Sequence, residues 1–349
     1  MNMEPKTKSS GSIKRLTNPL KAATRQFGSQ TILLLAVFLV LFIFFAVSED
    51  KFLTVRSITS MAFQLPELGV LSLAMMVTIL TGGINLSVNA TSNMAAVLAG
   101  LFMVKFIPPE ATPQQIWLFI VLGVIIALVA GWLSGVINGF LIAYVGVPPI
   151  LATLATFTFY TGISTGLTGG ATVTGFPEQF AVIGNKTFLG IPIPFLVFVI
   201  LTVLTYYLLN RTSFGFKARM LGSNPIASNF SGIDNKAILM RIYILSGVLS
   251  AITGILIMSR TMSAAYEYGT TTYILLTILV TVLAGILPGF GNVIDIFIAM
   301  LILQILSTGF HMVLVGIRGS SFFKDFSWGV LLIIIFVINY FTRVRKAHE

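Results

Sequence analysis

Few residues of this 349-residue chain are equipped for chemistry: there are 11 acidic side chains, two histidines and no cysteine. Without cysteine there is no disulfide, thiolate nucleophile or Cys-ligated metal, and His311 and His348 leave a metal site short of ligands. No Gly-x-x-x-x-Gly-Lys-[Ser/Thr] phosphate loop occurs, so any ATP hydrolysis must belong to another chain. No cofactor or metal is expected. Two carboxylates, Glu67 and Asp295, fall inside long apolar runs, where an ionisable group costs about 2.5–3.5 kcal/mol at mid-span. Glu67, directly after Pro66, reads either as an acceptor for solute hydroxyls or a gate pairing, or as a carboxyl near the outer interface. Asp295 falls in the first turn of a predicted helix, where a carboxylate complements the dipole. His311 reads as an interfacial residue. Neither two convergent aspartates nor a Ser/His pair stands at mid-depth of any run, which argues against a hydrolase working inside the bilayer.

The elements that must carry these groups are membrane helices. Hydrophobic residues make up 56% of the chain and charged ones 9%, against roughly 25% charged in a soluble domain. Apolar runs of about 17–25 residues suffice to cross a hydrocarbon core. They predict about ten spans, near 31–48, 57–81, 86–106, 115–142, 148–168, 192–210, 237–260, 270–288, 292–313 and 326–342. Residues 1–30 form a basic tail and 343–349 a second tail. The first run exceeds the usual h-region of a secretory signal and reads as an uncleaved span. With both termini cytoplasmic, fourteen Lys/Arg lie inside and seven outside, in line with the positive-inside rule. The net charge of +10 is spread over loops without aromatic platforms, so nucleic acid is not an expected partner.

Stripes of small residues, Gly131, Ser134, Gly135, Asn138 and Gly139, then Ser246, Gly247, Ser250 and Gly254, predict close helix packing. Two internal echoes suggest a repeat: Val77 to Gly82 with Val280 to Gly285, and Leu133 to Val136 with Leu245 to Val248. The longest polar break, 211–236, contains Asn224 as an N-cap, Pro225 at the first helical position and Gly232 as a stop. A two-turn helix is expected there, with Ile226, Ala227, Phe230 and Ile233 on one apolar face. Because its polar side has no Lys or Arg to suit lipid headgroups, a protein groove is the better partner.

The run Gly222-x-Asn224-x-x-Ala227-x-x-x-Ser231-Gly232-Ile233, followed by Leu245-Ser246-Gly247, resembles the cytoplasmic loop of permeases in ribose/galactose/xylose-class ABC sugar importers. Thr81 to Val88 is similar to that family's Gly-Gly-Ile-Asp-Leu-Ser-Val signature. Gly135-x-x-Asn138-Gly139 leading into Val147 to Leu154, and the turn from Gly285 to Asn292, follow in the family's order. The resemblance implies an all-α permease fold of about ten helices, spanning 31–342, in the inner (plasma) membrane. It implies a second permease copy or paralogue, an ATP-binding subunit holding the short cytoplasmic helix, and an extracytoplasmic solute-binding protein. The residues it assigns to coupling are Gly222, Asn224, Pro225, Ile226, Ala227, Phe230, Ser231, Gly232 and Ile233. Glu67, Asn85 and Asn138 are the candidates for a path or gate. Asn85 stands where the family has Asp, and Asn89 where it usually has Gly; Asn85 still serves to begin the third span. The expected function is import of a monosaccharide or related small polar solute; the rival is an ion-coupled secondary transporter, for which Glu67 is the one fair coupling carboxylate.

Overall fold

The computed structural model describes residues 19–314, with side chains from Gln30, together with Phe326, Trp328, Gly329, Val330 and Ile333. Its helices are α1 (Pro19–Ser48), α2 (Val55–Ile79), α3 (Val88–Phe106), α4 (Pro113–Phe140), α5 (Pro149–Thr168), α6 (Ala181–Asn185), α7 (Ile193–Arg211), α8 (Ser213–Ser223), α9 (Pro225–Phe230), α10 (Asn235–Thr261), α11 (Thr270–Leu283) and α12 (Val293–Val313). A π turn, Leu141–Val145, prolongs α4. The strands are two-residue stubs: β1 (Val173–Thr174) pairs antiparallel with β4 (Ser263–Ala264), and β2 (Thr187–Phe188) with β3 (Ile191–Pro192).

Seven helices among the described residues are long and apolar enough to cross a membrane: α1, α2, α4 with its π turn, α5, α7, α10 and α12. The two other described helices expected as spans differ for separate reasons. α11, at 14 residues, is short, and α3 has the length but carries Asn89, Thr91, Ser92 and Asn93, all buried. The tenth expected span, 326–342, lies mostly outside the described residues, as do 1–18 of the first tail and all of 343–349. α1 begins at Pro19, inside the segment expected as a tail.

Burial separates the spans into layers. In α2, α10 and α12 the apolar window is 72–78% buried, whereas in α1, α4, α5 and α7 it is 17–28% buried. In lipid the outer ring can expose Leu39, Ile43, Leu118 and Leu151 at no hydrophobic cost, while helices satisfy their own backbone bonds. The predicted stripes join α4 of the outer ring to the inner helix α10. A Cβ at Gly131 would overlap the Gly247 carbonyl of α10, and a Cβ at Gly247 would overlap the Gly131 carbonyl in return. The echo of Leu133 to Val136 in Leu245 to Val248 therefore marks two mutually packed faces. The other echo is a shared helix ending. Gly82 and Gly285 both have left-handed φ, and paired bonds close both ends: Gly83 N–H to Thr78 C=O (3.1 Å) and Ile286 N–H to Thr281 C=O (3.0 Å). Both are Schellman caps, for which glycine's freedom at positive φ is required.

Candidate functional site

Glu67 lies in α2 directly after Pro66, whose missing N–H removes one helical bond. Its carboxylate is buried and ion-paired with Nε of Arg260, at the end of α10. Tyr273 Oη donates to Oε2 at 2.9 Å and Tyr268 Oη at 3.3 Å, while Arg260 Nη2 donates to Tyr268 Oη at 3.3 Å. Four polar groups from α2, α10, α11 and the loop before α11 thus satisfy one another, the condition under which a buried ion pair is tolerated. The loop is held from below by α3. Asn89 Nδ2 donates to the Tyr268 carbonyl (3.0 Å), and Asn93 Nδ2 to the carbonyls of Tyr266 and Tyr268 (both 3.0 Å). Glu67, Arg260 and Tyr273 of this quartet border a cavity of about 300 Å³, whose other walls include Gln64 on α2, Gln304 and Ser307 on α12, and the apolar Leu68, Leu276 and Leu303. A second, more open cavity of about 470 Å³ adjoins it, lined by Arg56, Thr59 and Asn185, and Gln64 and Arg260 line both.

At the C-terminal end of α2 and the start of α12 the chain builds a different junction. The α2–α3 and α11–α12 turns touch through Gly289 N–H to the Leu80 carbonyl (2.8 Å). Gly222, near the end of α8, sits against both; a Cβ there would overlap the Leu80 carbonyl and the Gly289 amide. Arg219, one turn earlier, donates Nη1 to the Gly291 carbonyl (2.7 Å) and Nη2 to Asn210 Oδ1 (2.6 Å). Partial burial pulls the Arg219 guanidinium below its ordinary pKa, but with two oxygen acceptors it keeps its charge. α9 follows at once. Asn224 Oδ1 accepts from the amides of Ile226 and Ala227 (3.0 Å each), Pro225 takes the first position, and Gly232 ends the turn with φ +75°. Ser228 and Asn235 tie α9 to α10: Ser228 Oγ donates to Asn235 Oδ1 (2.8 Å), and Asn235 Nδ2 to the Pro225 carbonyl (2.9 Å). Outward, Ile226 is 70% and Phe230 90% exposed.

Residues 57–338 match the family described as branched-chain amino acid transport system / permease component. The chain belongs to this permease family. Among its relatives are the ribose import permease protein of Bacillus subtilis (strain 168), 32% identical over 86% of this chain and 89% of that one. The autoinducer 2 import system permease protein of Yersinia enterocolitica is 28% identical, over 90% of this chain and 92% of the relative. The corresponding Salmonella typhi protein is 29% identical over 81% and 86%. No solved structure matches the chain. A permease component transports rather than catalyses, and this permease is an all-α membrane protein.

Within the permease the predicted residues fall into three places. Glu67 borders the cavity. Asn85 and Asn138 do not line it; they anchor a buried chain of hydrogen bonds that joins α2, α10, α4 and α5 through the turn before α3. Ser246 Oγ donates to the Ala74 carbonyl and Asn85 Nδ2 to Ser246 Oγ (3.0 Å). Ser87 Oγ donates to Asn85 Oδ1 (2.7 Å), Asn138 Nδ2 to Ser87 Oγ (2.8 Å), and Thr156 Oγ1 to Asn138 Oδ1 (2.6 Å). Asn85 therefore organises the turn before α3 without capping it, since Ser87 occupies the cap position. The loop residues make the third group, with one correction. Ile233 is only 8% exposed and packs in the core, so the outer apolar face consists of Ile226, Ala227 and Phe230. Gly222 too is partly buried and faces its own chain. Asp295, as expected, occupies the first turn of α12, where it accepts from Thr31 Oγ1 at 2.5 Å.

Sequence reasoning passed over α8, Arg260, Tyr268, Tyr273 and Asn93. The signal for α8 was present: Thr212 as its cap, then Phe214, Ala218 and Leu221 at helical spacing. No comparable local signal joins Glu67 to Arg260, which lie 193 residues apart.

Proposed function

We propose that this chain is the membrane-spanning permease of an importer that receives a monosaccharide or related small polar solute from an extracytoplasmic binding protein and is driven by an ATP-hydrolysing subunit. The relatives' names, import permeases for ribose and for autoinducer 2, support the solute class. The observation that carries the drive mechanism is α9: a capped helix, braced by α8 and α10, that turns Ile226 and Phe230 to solvent. Exposed aromatic anchors of this kind are the usual hot spots of a docking surface. In this reading Asn224, Pro225 and Gly232 shape the docking helix. Ile226, Ala227, Phe230 and Ser231 meet the ATPase, and Gly222 and Ile233 support them from within. α9 and both termini lie on the cytoplasmic side of the inner (plasma) membrane, and a second copy or paralogue pairs with the chain in the lipid bilayer. Glu67 acts at the gate, with Asn85 and Asn138 holding the helices that bound the path.

ATP-bound and nucleotide-free partners need only prefer different permease states for access to alternate. Phe230→Asp should lower affinity for the ATPase subunit by about thirtyfold, from the loss of about 2 kcal/mol at a hot spot. ATP-dependent uptake should vanish while membrane insertion is unchanged. Full uptake with normally stimulated ATPase activity in that variant would overturn the docking role. Inhibition by orthovanadate supports the ATP-driven reading, whereas collapse of uptake by a protonophore with ATP maintained supports ion coupling. The pairing of Glu67 with Arg260 weighs against the latter, because the carboxylate is already neutralised.

A further inference from the structure

The two cavities beside Glu67 share the same pair of walls, Gln64 and Arg260. The larger, more open one is termed the vestibule and the smaller the chamber; Gln64 and Arg260 stand between them, with Glu67 on the chamber side. We propose that the chamber is an occlusion site for a neutral polyhydroxylated solute of monosaccharide size, admitted from the vestibule when Arg260 swings away from Glu67. This rests on the importer reading and adds to it a location and a moving part.

Three observations carry it. At about 300 Å³ the chamber stands at the lower end of small-molecule sites, which run to roughly 1,000 Å³, so it suits one sugar ring better than a chain of them. Its chemistry is neutral overall, since Glu67 and Arg260 cancel and the remaining polar walls are amides and hydroxyls. Gln64 Nε2 donates to Ser60 Oγ (3.1 Å) and Gln304 Nε2 to Thr308 Oγ1 (3.2 Å), each within its own helix. Their amide oxygens are left for the O–H groups of a solute, and Ser307 adds a hydroxyl that donates or accepts. A free amino acid would instead need both charges of the pair, which are already spent on each other and on Tyr268 and Tyr273.

The third observation says which wall moves. The Glu67 side chain is 4% exposed and fixed by two tyrosines, while Arg260 is 27% exposed and faces the vestibule. Arg260 sits at the last turn of α10, ahead of the loop, and has a long flexible stem. Its displacement opens the chamber without moving a helix.

Because the chain has no cysteine, single cysteines can be introduced without a background change. Ser307→Cys and Gln304→Cys place a thiol in the chamber, and Thr59→Cys one in the vestibule. In vesicles holding the complete transporter, each is labelled with a small cationic methanethiosulfonate in the presence of D-ribose, D-galactose, D-gluconate or L-leucine. The expected result is that a neutral sugar slows labelling at both chamber positions, by about tenfold near ten times its Kd, and leaves Thr59→Cys unaffected. Gluconate should protect less. Adding Glu67→Gln with Arg260→Gln should quicken labelling in the chamber, as the latch is gone. Protection by L-leucine stronger than by either sugar overturns the ligand class. No protection by any neutral pentose or hexose, in vesicles that still take up labelled sugar with ATP, overturns the chamber and leaves the importer reading intact. Absence of ATP-dependent uptake in the unmutated complex instead overturns that reading itself.

Discussion

The middle of α2 and the ends where α2 and α12 meet α8 are held by opposite means. Around Glu67, side chains from four segments meet in charge-assisted hydrogen bonds around open space. At the α9 end, backbone meets backbone: Gly289 bonds the Leu80 carbonyl, Gly222 closes on both, and there is no room for a methyl group. A side-chain pair can open and re-form without moving the helices that carry it, whereas glycine-to-backbone contact has a single arrangement and moves as a unit. In the proposed docking of an ATPase on α9, a force applied there would be delivered through α8 to the ends of α2 and α12 with little slack. In the proposed cycle the region that responds is the one built of exchangeable side-chain contacts.

The comparison breaks most readily at the ion pair. Arg260→Ala leaves the buried Glu67 carboxylate without its cation, and loss of one partner of a buried pair costs about 3–5 kcal/mol. The lower end is expected, since Arg260 retains some exposure. Thermal unfolding of the purified permease should show a clear drop, and adding Glu67→Gln should recover most of it by removing the orphaned charge. If the double variant is no more stable than Arg260→Ala, the pair is not what holds that region. Next in size is Gly222→Ala, where an added methyl meets the Leu80 carbonyl and the Gly289 amide; overpacking of this kind costs about 1–3 kcal/mol. Unlike the Arg260 change, it has no rescuing partner. ATP hydrolysis should persist while uptake falls, measured in the same vesicles.

How far these two regions were legible in the sequence follows from the same contrast. The α9 end is built of local rules: Asn224 and Pro225 start a helix, Gly232 stops it, and Gly82 and Gly285 end α2 and α11 in the same way. Such signals are contiguous, so caps and tight breaks could be read directly. The orientation of Ile233 could not, because a short helix leaves open which residue after its stop returns to the core. In the other region only the cost of a carboxylate in an apolar run was visible, which singled out Glu67 and named no partner. Its partners come from α10, α11 and their loop, and nothing in one sequence pairs residues so distant. Asn85 and Asn138 fell between the two cases: polar residues in apolar surroundings were evident, but their mutual hydrogen bonds through Ser87 required the fold.

That buried network offers a finer test. Asn85 donates to Ser246 through Nδ2, and Ser246 in turn donates to the Ala74 carbonyl. A carboxylate at this position has no hydrogen to give. Asn85→Asp should therefore destabilise the permease by about 1–3 kcal/mol, the cost of a buried group losing its partner. Ser246→Ala in the same background should cost less than it does alone, since the contact is already lost. Equal costs in both backgrounds, by thermal unfolding, would mean that the Asn85 to Ser246 bond contributes nothing.

The smallest effect is expected at Arg219, and it separates the two kinds of contact within a single junction. Its guanidinium spans the Gly291 carbonyl and Asn210, tying the start of α12 to the end of α7. Arg219→Lys keeps the charge but replaces a planar fork with a point donor that cannot reach both acceptors in fixed geometry. One hydrogen bond lost in part-exposed surroundings is worth about 1 kcal/mol. The Gly222 contact a turn away should still hold α8 in place, so uptake should fall far less than in Gly222→Ala at similar expression. If Arg219→Lys instead uncouples as completely as Gly222→Ala, the side-chain clamp and not the glycine contact transmits the stroke, and the division between a rigid region and a rearranging region would have to be redrawn.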